Sequence, residues 1–143
     1  MDLAKRFEAY AEDFERTYAD DDWSRLEQYF TPDATYSTLA NGVRIPGRDS
    51  VLAVLRAAVS GFDRRCETRT LVTTRGPTAE GVEVRRAWAA TFTLKGAPDL
   101  SIAGTERAVF QGDRIRLLEI DLTPDTLARM MHFREAYLLS REP

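Results

Sequence analysis

Asp20-Asp21-Asp22-Trp23-Ser24-Arg25-Leu26-Glu27-Gln28-Tyr29-Phe30-Thr31-Pro32-Asp33-Ala34-Thr35-Tyr36-Ser37 is the stretch whose reading decides the fold. The acidic run ends one helix and opens a short second one. Asp side chains there accept free backbone N–H groups and complement the positive end of a helix dipole. Trp23, Leu26, Tyr29 and Phe30 point one way along that second helix. Pro32 closes it, because the residue before a proline is pushed out of the α region. Residues 34–39 then have the β-branched and aromatic content of a strand. Helices hand over to a sheet at this point.

On the N-terminal side, Leu3, Phe7, Tyr10, Ala11, Phe14 and Tyr18 recur at helical spacing, with Glu8, Glu12, Glu15 and Arg16 opposite. This predicts an amphipathic helix with Glu12 and Arg16 as a favourable pair four residues apart. On the C-terminal side, Asn41-Gly42 is a turn signal, and residues 43–45 can pair back briefly. Asp49 or Ser50 is placed to cap a third helix over 51–60, which is apolar nearly all round and is expected to pack on most sides. From Arg64 the period becomes two. Residues 66–75 form a Thr-rich strand ending at Gly76-Pro77. In the next strand Val82, Val84, Arg86, Trp88, Ala90, Phe92 and Leu94 share one face, and Glu83, Arg85, Ala87, Ala89, Thr91 and Thr93 the other. Residues 100–110 and 114–122 are two more strands, joined at Gly112-Asp113 by a two-residue turn with Gly where a type II′ turn needs it. Strands this long must twist and curl, so they can wrap around helices. Thr123-Pro124-Asp125 starts a last helix running to about residue 139: a hydroxyl cap, Pro at the first helical position and an acid in the first turn.

A length of 143 residues indicates one domain, with its core at about 3–122 and the C-terminal helix added. Net charge is −3 with no basic stripe, which argues against a nucleic-acid partner. No apolar run approaches a membrane span, and the N-terminus lacks a signal-peptide core, so the expected compartment is the cytoplasm. Cys66 stands alone, excluding an intrachain disulfide. One His and one Cys leave nothing for a structural zinc site, and no metal or cofactor is expected.

Helix, helix, strand, helix and then long meandering strands make an α+β order. With it come the Asp22-Trp23-Ser24 to Phe30-Thr31-Pro32-Asp33-Ala34 block, the Gly47-Arg48-Asp49-Ser50-Val51 helix start, and Phe110-Gln111-Gly112-Asp113-Arg114-Ile115 running on to Asp121. On these features residues 3–122 resemble the nuclear-transport-factor-2-like superfamily, in particular its SnoaL-like, polyketide-cyclase-like branch. The resemblance implies a cone-shaped, curved, mostly antiparallel sheet wrapped around three N-terminal helices. It also implies an apolar cavity for a hydrophobic or aromatic small molecule, and a homodimer through the outer sheet face. The C-terminal helix exceeds the minimal pattern and would lid the cone mouth or pack on a partner subunit. Departures narrow the chemistry. Aligned on Asp33-Ala34-Thr35, Phe14 falls where ketosteroid isomerases carry an oxyanion Tyr, and Thr38 where they carry the Asp base. The strand Arg-x-Asp of limonene epoxide hydrolases is missing. The one His, His132, lies outside the sheet, unlike the cavity His of scytalone dehydratases.

Asp121 ends the last strand, where polyketide cyclases of the family place an acid/base Asp. It reads either as a carboxylate at the edge of an apolar pocket, its pKa raised by desolvation, or as a cap or solvated charge before Thr123. Glu106 lies mid-strand and, if inward, needs a partner; Arg86 is the candidate. The outward alternative, a cross-strand pair on the dimer or solvent face, is favoured here. Tyr10, Phe14, Trp23, Tyr29, Tyr36, Trp88 and Phe92 are the aromatic set, read as core and, with Leu55, as cavity wall. Tyr10 and Tyr36 are the best polar-tipped wall residues. His132 reads as surface, Cys66 as a small strand residue, and Asp20 to Asp22 as cap and solvated loop. The expected function is binding of a hydrophobic or aromatic small molecule. Any chemistry would be cofactor-free proton transfer of the isomerase, dehydratase or cyclase type, with Asp121 as acid/base and Tyr10 or Tyr36 as oxyanion donor. A binding module without turnover and a dimerisation domain with a filled cone are the alternatives.

Overall fold

A computed structural model describes residues 1–39 and 41–139. Helix α1, Leu3–Asp20, starts at Asp2, whose carboxylate accepts the Lys5 N–H at 3.2 Å. A 3-10 helix, Trp23–Tyr29, leads into β1, Phe30–Thr38, and β2, Arg44–Pro46. Then follow α2 (Arg48–Gly61), β3 (Thr68–Glu80), β4 (Glu83–Thr93), β5 (Leu100–Gln111) and β6 (Arg114–Leu122). Helix α3, Pro124–Phe133, continues as a π-helical turn, Arg134–Leu138. Thr123 caps α3 as its sequence indicates, accepting the Thr126 N–H at 3.1 Å, with Pro at the start.

The strands form one sheet in the order β2-β1-β6-β5-β4-β3. All pairings are antiparallel except β1 with β6. Register shifts interrupt β1, β3 and the β5–β6 ladder, and such bulges bend a sheet. One buried cluster joins α1, the 3-10 helix and α2 to β1 and β6, around Phe7, Tyr10, Leu26, Phe30, Ile115 and Leu118. A second joins Phe62, Phe92, Leu100 and Ile102 to Phe133 and Leu138 of the C-terminal helix.

Several local expectations give way. The Asp20–Asp22 run is a hub of ion pairs, and Asp22 makes no side-chain cap. Asp20 accepts two bonds from Arg25, at 3.0 and 2.6 Å, which with the Asp22 N–H hold its carboxyl down at about 2. Asp21 takes the Trp23 indole N–H at 2.7 Å and pairs with Arg64 at 2.8 Å and Arg56 at 3.2 Å. Arg64 also donates to the Thr17 and Tyr18 carbonyls, so a side chain from another element satisfies the C-terminus of α1. Arg16 pairs with Asp13 instead of Glu12. Helix α2 starts at Gly47 with no side-chain cap, and it buries Val51, Leu52, Leu55 and Val59 while Ala53, Arg56 and Ala57 face outward. Its exposed alanines are small enough for solvent, so apolar composition there does not mean packing on most sides. The strand expected to stop at Gly76-Pro77 runs through that irregularity to Glu80.

Candidate functional site

Strand alternation builds the inner wall. On β4, Arg86, Trp88, Ala90 and Phe92 face the helices, as the period of two indicates. Cross-strand register sets Glu106 opposite Arg86 and Gly104 opposite Trp88. The favoured outward placement of Glu106 is therefore corrected: its side chain is 7% exposed and points inward. Arg86 binds it through two guanidinium nitrogens, Nε at 3.1 Å and a closer terminal nitrogen, both on Oε1. The pair satisfies the requirement that a buried carboxylate be partnered. Oε2 has no hydrogen-bond partner among the described residues. Gly104 has no side chain because the Trp88 indole and Leu122 occupy that space: a Cβ would sit 2.6 Å from one and 2.7 Å from the other.

Between the two buried clusters lies a cavity of about 190 Å³. Tyr10 and Phe14 of α1, Leu55 and Val59 of α2, Tyr36 of β1, Ile120 and Leu122 of β6, and Met130 of α3 complete much of its wall. Burial, and next to it the Glu106 carboxylate, push the Tyr10 hydroxyl well above its ordinary value. The same two causes raise Tyr36. Both hydroxyls thus remain protonated donors, and neither has a hydrogen-bond partner among the described residues.

Asp121 does not join them. Ile120 and Leu122 point into the cavity, and Asp121 between them points to the outer face, where it is exposed near Arg85, Arg107 and Glu119 around an open groove. A side-chain period of two allows no other outcome once its neighbours are inward. Trp23 and Tyr29 are also absent from the cavity wall. They are buried in the first cluster, with their polar tips turned to Asp21 and, at 2.5 Å, to Asp13. Burial, and next to it the Asp13 bond, push the Tyr29 hydroxyl up to about 12. Phe14, Leu55, Arg86, Trp88 and Phe92 line the cavity together with Tyr10, Tyr36 and Glu106.

The sequence reading missed a second ionic group at the cavity. Arg69 of β3, with a 3% exposed side chain, donates to Asp63 at 2.7 Å and to both oxygens of Glu15, at 2.5 and 3.2 Å. Burial raises the Asp63 carboxyl against the pull of Arg69. The alternation of Arg69 with Leu71 was the one local hint; nothing local couples Glu15 to residue 69. Among the described residues no group of three His, Cys, Asp or Glu side chains could hold a metal ion. His132 is exposed on α3, and Cys66 is buried, its thiol pushed to about 11 by burial.

A six-stranded mixed sheet closed over helices, with a cavity between, is the nuclear-transport-factor-2-like or ketosteroid-isomerase-like fold, with a C-terminal helix added. No known family profile and no curated protein sequence matches the chain. Solved structures do. A protein of ketosteroid isomerase-like fold from Catenulispora acidiphila, in complex with trimethylamine, superposes with a TM-score of 0.63 at 18% identity, over 85% of this chain and 92% of that one. An LEH-like epoxide hydrolase from M. tuberculosis gives 0.64 at 16%, over 96% and 98%. A candidate polyketide cyclase from Xanthomonas campestris gives 0.61 at 16%, over 90% and 98%. Among the described residues no helix is long and apolar enough to cross a membrane.

Proposed function

We propose that this protein binds a largely apolar molecule of one-ring size in the interior cavity and moves a proton on it without a cofactor. The observation that carries the reading is a trio of tips with no hydrogen-bond partner among the described residues, Glu106 Oε2 and the hydroxyls of Tyr10 and Tyr36, in a hollow whose other ionic groups, Arg86 and the Arg69–Glu15–Asp63 set, are already paired. Among the described residues the buried side-chain atoms left without a hydrogen bond are Thr31 Oγ1 and Arg48 Nε, not these three, which therefore retain accessible surface that a bound molecule can meet. Glu106 Oε2 accepts the proton, a role that contributes ~10²–10⁴-fold in rate. Tyr10 and Tyr36 donate to the oxygen on which negative charge develops. Arg86 is a positioning residue, holding Oε1 so that Oε2 stays aimed at the cavity. Size sets the substrate class: an apolar cavity of ~150 Å³ accommodates benzene, so about 190 Å³ admits one substituted ring and no fused polycycle. The structural relative solved with trimethylamine supports small ligands for this fold.

The test uses Trp88 as reporter in a Trp23→Phe background. Benzyl alcohol and phenylacetone are expected to change Trp88 emission and raise the melting temperature, and a steroid is expected to do neither. Deuterium uptake beside the phenylacetone carbonyl, followed by NMR, reports proton transfer. Glu106→Gln should keep binding and lose the exchange. If no one-ring compound binds, the reading is wrong; if binding persists and exchange is the same in both proteins, only a binding role stands.

The outer sheet face is assigned to a second copy of this chain. Ala87, Ala89, Ala103 and Thr105 present a floor of short side chains there, and Val72 beside them is 52% exposed. Such a surface lets two sheets approach closely.

A further inference from the structure

We infer that the ligand is a cation, a protonated amine on a one-ring body, with its ammonium lodged between Glu106 Oε2 and the aromatic wall. The inference rests on the cavity reading above and adds charge to it. Among the described residues the ionisable acids and bases lining the cavity are Glu15, Asp63, Arg69, Arg86 and Glu106. Three carboxylates face two guanidiniums, leaving one negative charge in excess. Both guanidiniums are already neutralised by carboxylates. Arg69 is divided between Glu15 and Asp63 through all three of its nitrogens. Arg86 spends Nε and one terminal nitrogen on Glu106 Oε1 and lies over the Phe7 ring at 5.3 Å, while its other terminal nitrogen makes no hydrogen bond among the described residues. No lysine or histidine lines the cavity. A ligand carboxylate would therefore enter a site of its own sign and meet only guanidiniums that carboxylates already neutralise.

A ligand ammonium meets the opposite situation. Glu106 is 7% exposed and lines the cavity, and its Oε2 makes no hydrogen bond among the described residues. Charge-assisted hydrogen bonds of this kind are roughly twice as strong as neutral ones. Trp88, Tyr10 and Phe14 add aromatic rings to the wall, and aromatic rings attract cations most when water is excluded. An ammonium on Oε2 occupies the oxygen proposed above as the base and lowers its basicity, so cation binding and proton transfer are separate properties read by separate assays.

The experiment compares three probes of one size on the wild-type protein by calorimetric titration at neutral pH: benzylamine, benzyl alcohol and benzoate. Benzylamine is expected to bind at least ~10-fold tighter than benzyl alcohol, the range of a desolvated cation–π contact plus a charged hydrogen bond, and benzoate least. Glu106→Gln, which keeps an oxygen for Arg86, should weaken benzylamine far more than benzyl alcohol and so close the gap between them. Benzyl alcohol binding as well as benzylamine overturns the cationic assignment and leaves the cavity reading intact. Benzoate binding tightest also overturns it. Failure of all three probes removes both readings. Because the three probes are compared on wild-type protein, the result stands even if the variant fails to fold.

Discussion

Arg86 and Glu106 illustrate how one buried pair carries both stability and site geometry. Their side chains are 10% and 7% exposed. Arg86→Leu strands a carboxylate in an apolar wall and is expected to cost ~3–5 kcal/mol, whereas Arg86→Leu with Glu106→Leu removes both charges and recovers most of that loss. Urea denaturation of the two variants checks this; equal losses would mean the pair is solvated. Tyr29 gives a pH signature. Its hydroxyl donates to Asp13 at 2.5 Å and is raised to about 12, whereas an unfolded tyrosine ionises near ~10. The folded value lies above the unfolded one, so the stabilisation is complete below about pH 10 and is lost as pH rises through about 12. Tyr10, Tyr18 and Tyr36 are also raised, so phenolate absorbance should show several late-titrating groups and one fewer in Tyr29→Phe.

At the scale of elements, the contact between β4 and β5 at Trp88 and Gly104 sets the cavity floor. Gly104→Ala places a methyl 2.6 Å from the indole, which must swing into the cavity. The expected cost is ~1–3 kcal/mol, typical of overpacking, together with loss of benzyl alcohol binding; a neutral variant that still binds would contradict the packing described. The same strands show what the sequence made legible. Trp88 and Phe92 could be assigned inward because apolar and polar residues alternate cleanly along β4. The identical rule, applied to Ile120, Asp121 and Leu122, turns Asp121 outward. The family resemblance, which carried the expectation for that residue, overrode an alternation that was already readable. Trp23 and Tyr29 were legible as buried aromatics, but spacing does not tell a residue facing a hollow from one whose polar tip is met by Asp21 or Asp13. Arg69, Glu15 and Asp63 were out of reach for a different reason. They meet only where β3 docks against α1, and no periodicity links residues so far apart in the chain.

For the whole molecule, the outer face of the sheet makes a prediction about assembly. Ala89 and Ala103 are directly paired across β4 and β5 at the middle of that face. Replacing both with Arg should leave the melting temperature nearly unchanged at low concentration and halve the mass measured by sedimentation equilibrium. Wild-type protein sedimenting as a monomer would remove the dimer. Nearby, Arg107 ties Glu83 of β4 to Glu119 of β6 across the sheet, at 2.7 and 3.0 Å.

The parallel join of β1 to β6 has a consequence for synthesis. Phe30 is paired with Ile115, and Tyr36 with Leu118, so the first strand has its inner neighbour only after more than seventy further residues have been added. The helical layer made first on the ribosome must wait, its greasy side uncovered, for the final strand to emerge. Such late closure slows folding and invites chaperone attention. Nascent chains stalled before Arg114 should therefore remain protease-sensitive throughout, and protection should arrive in one step as β6 clears the exit tunnel.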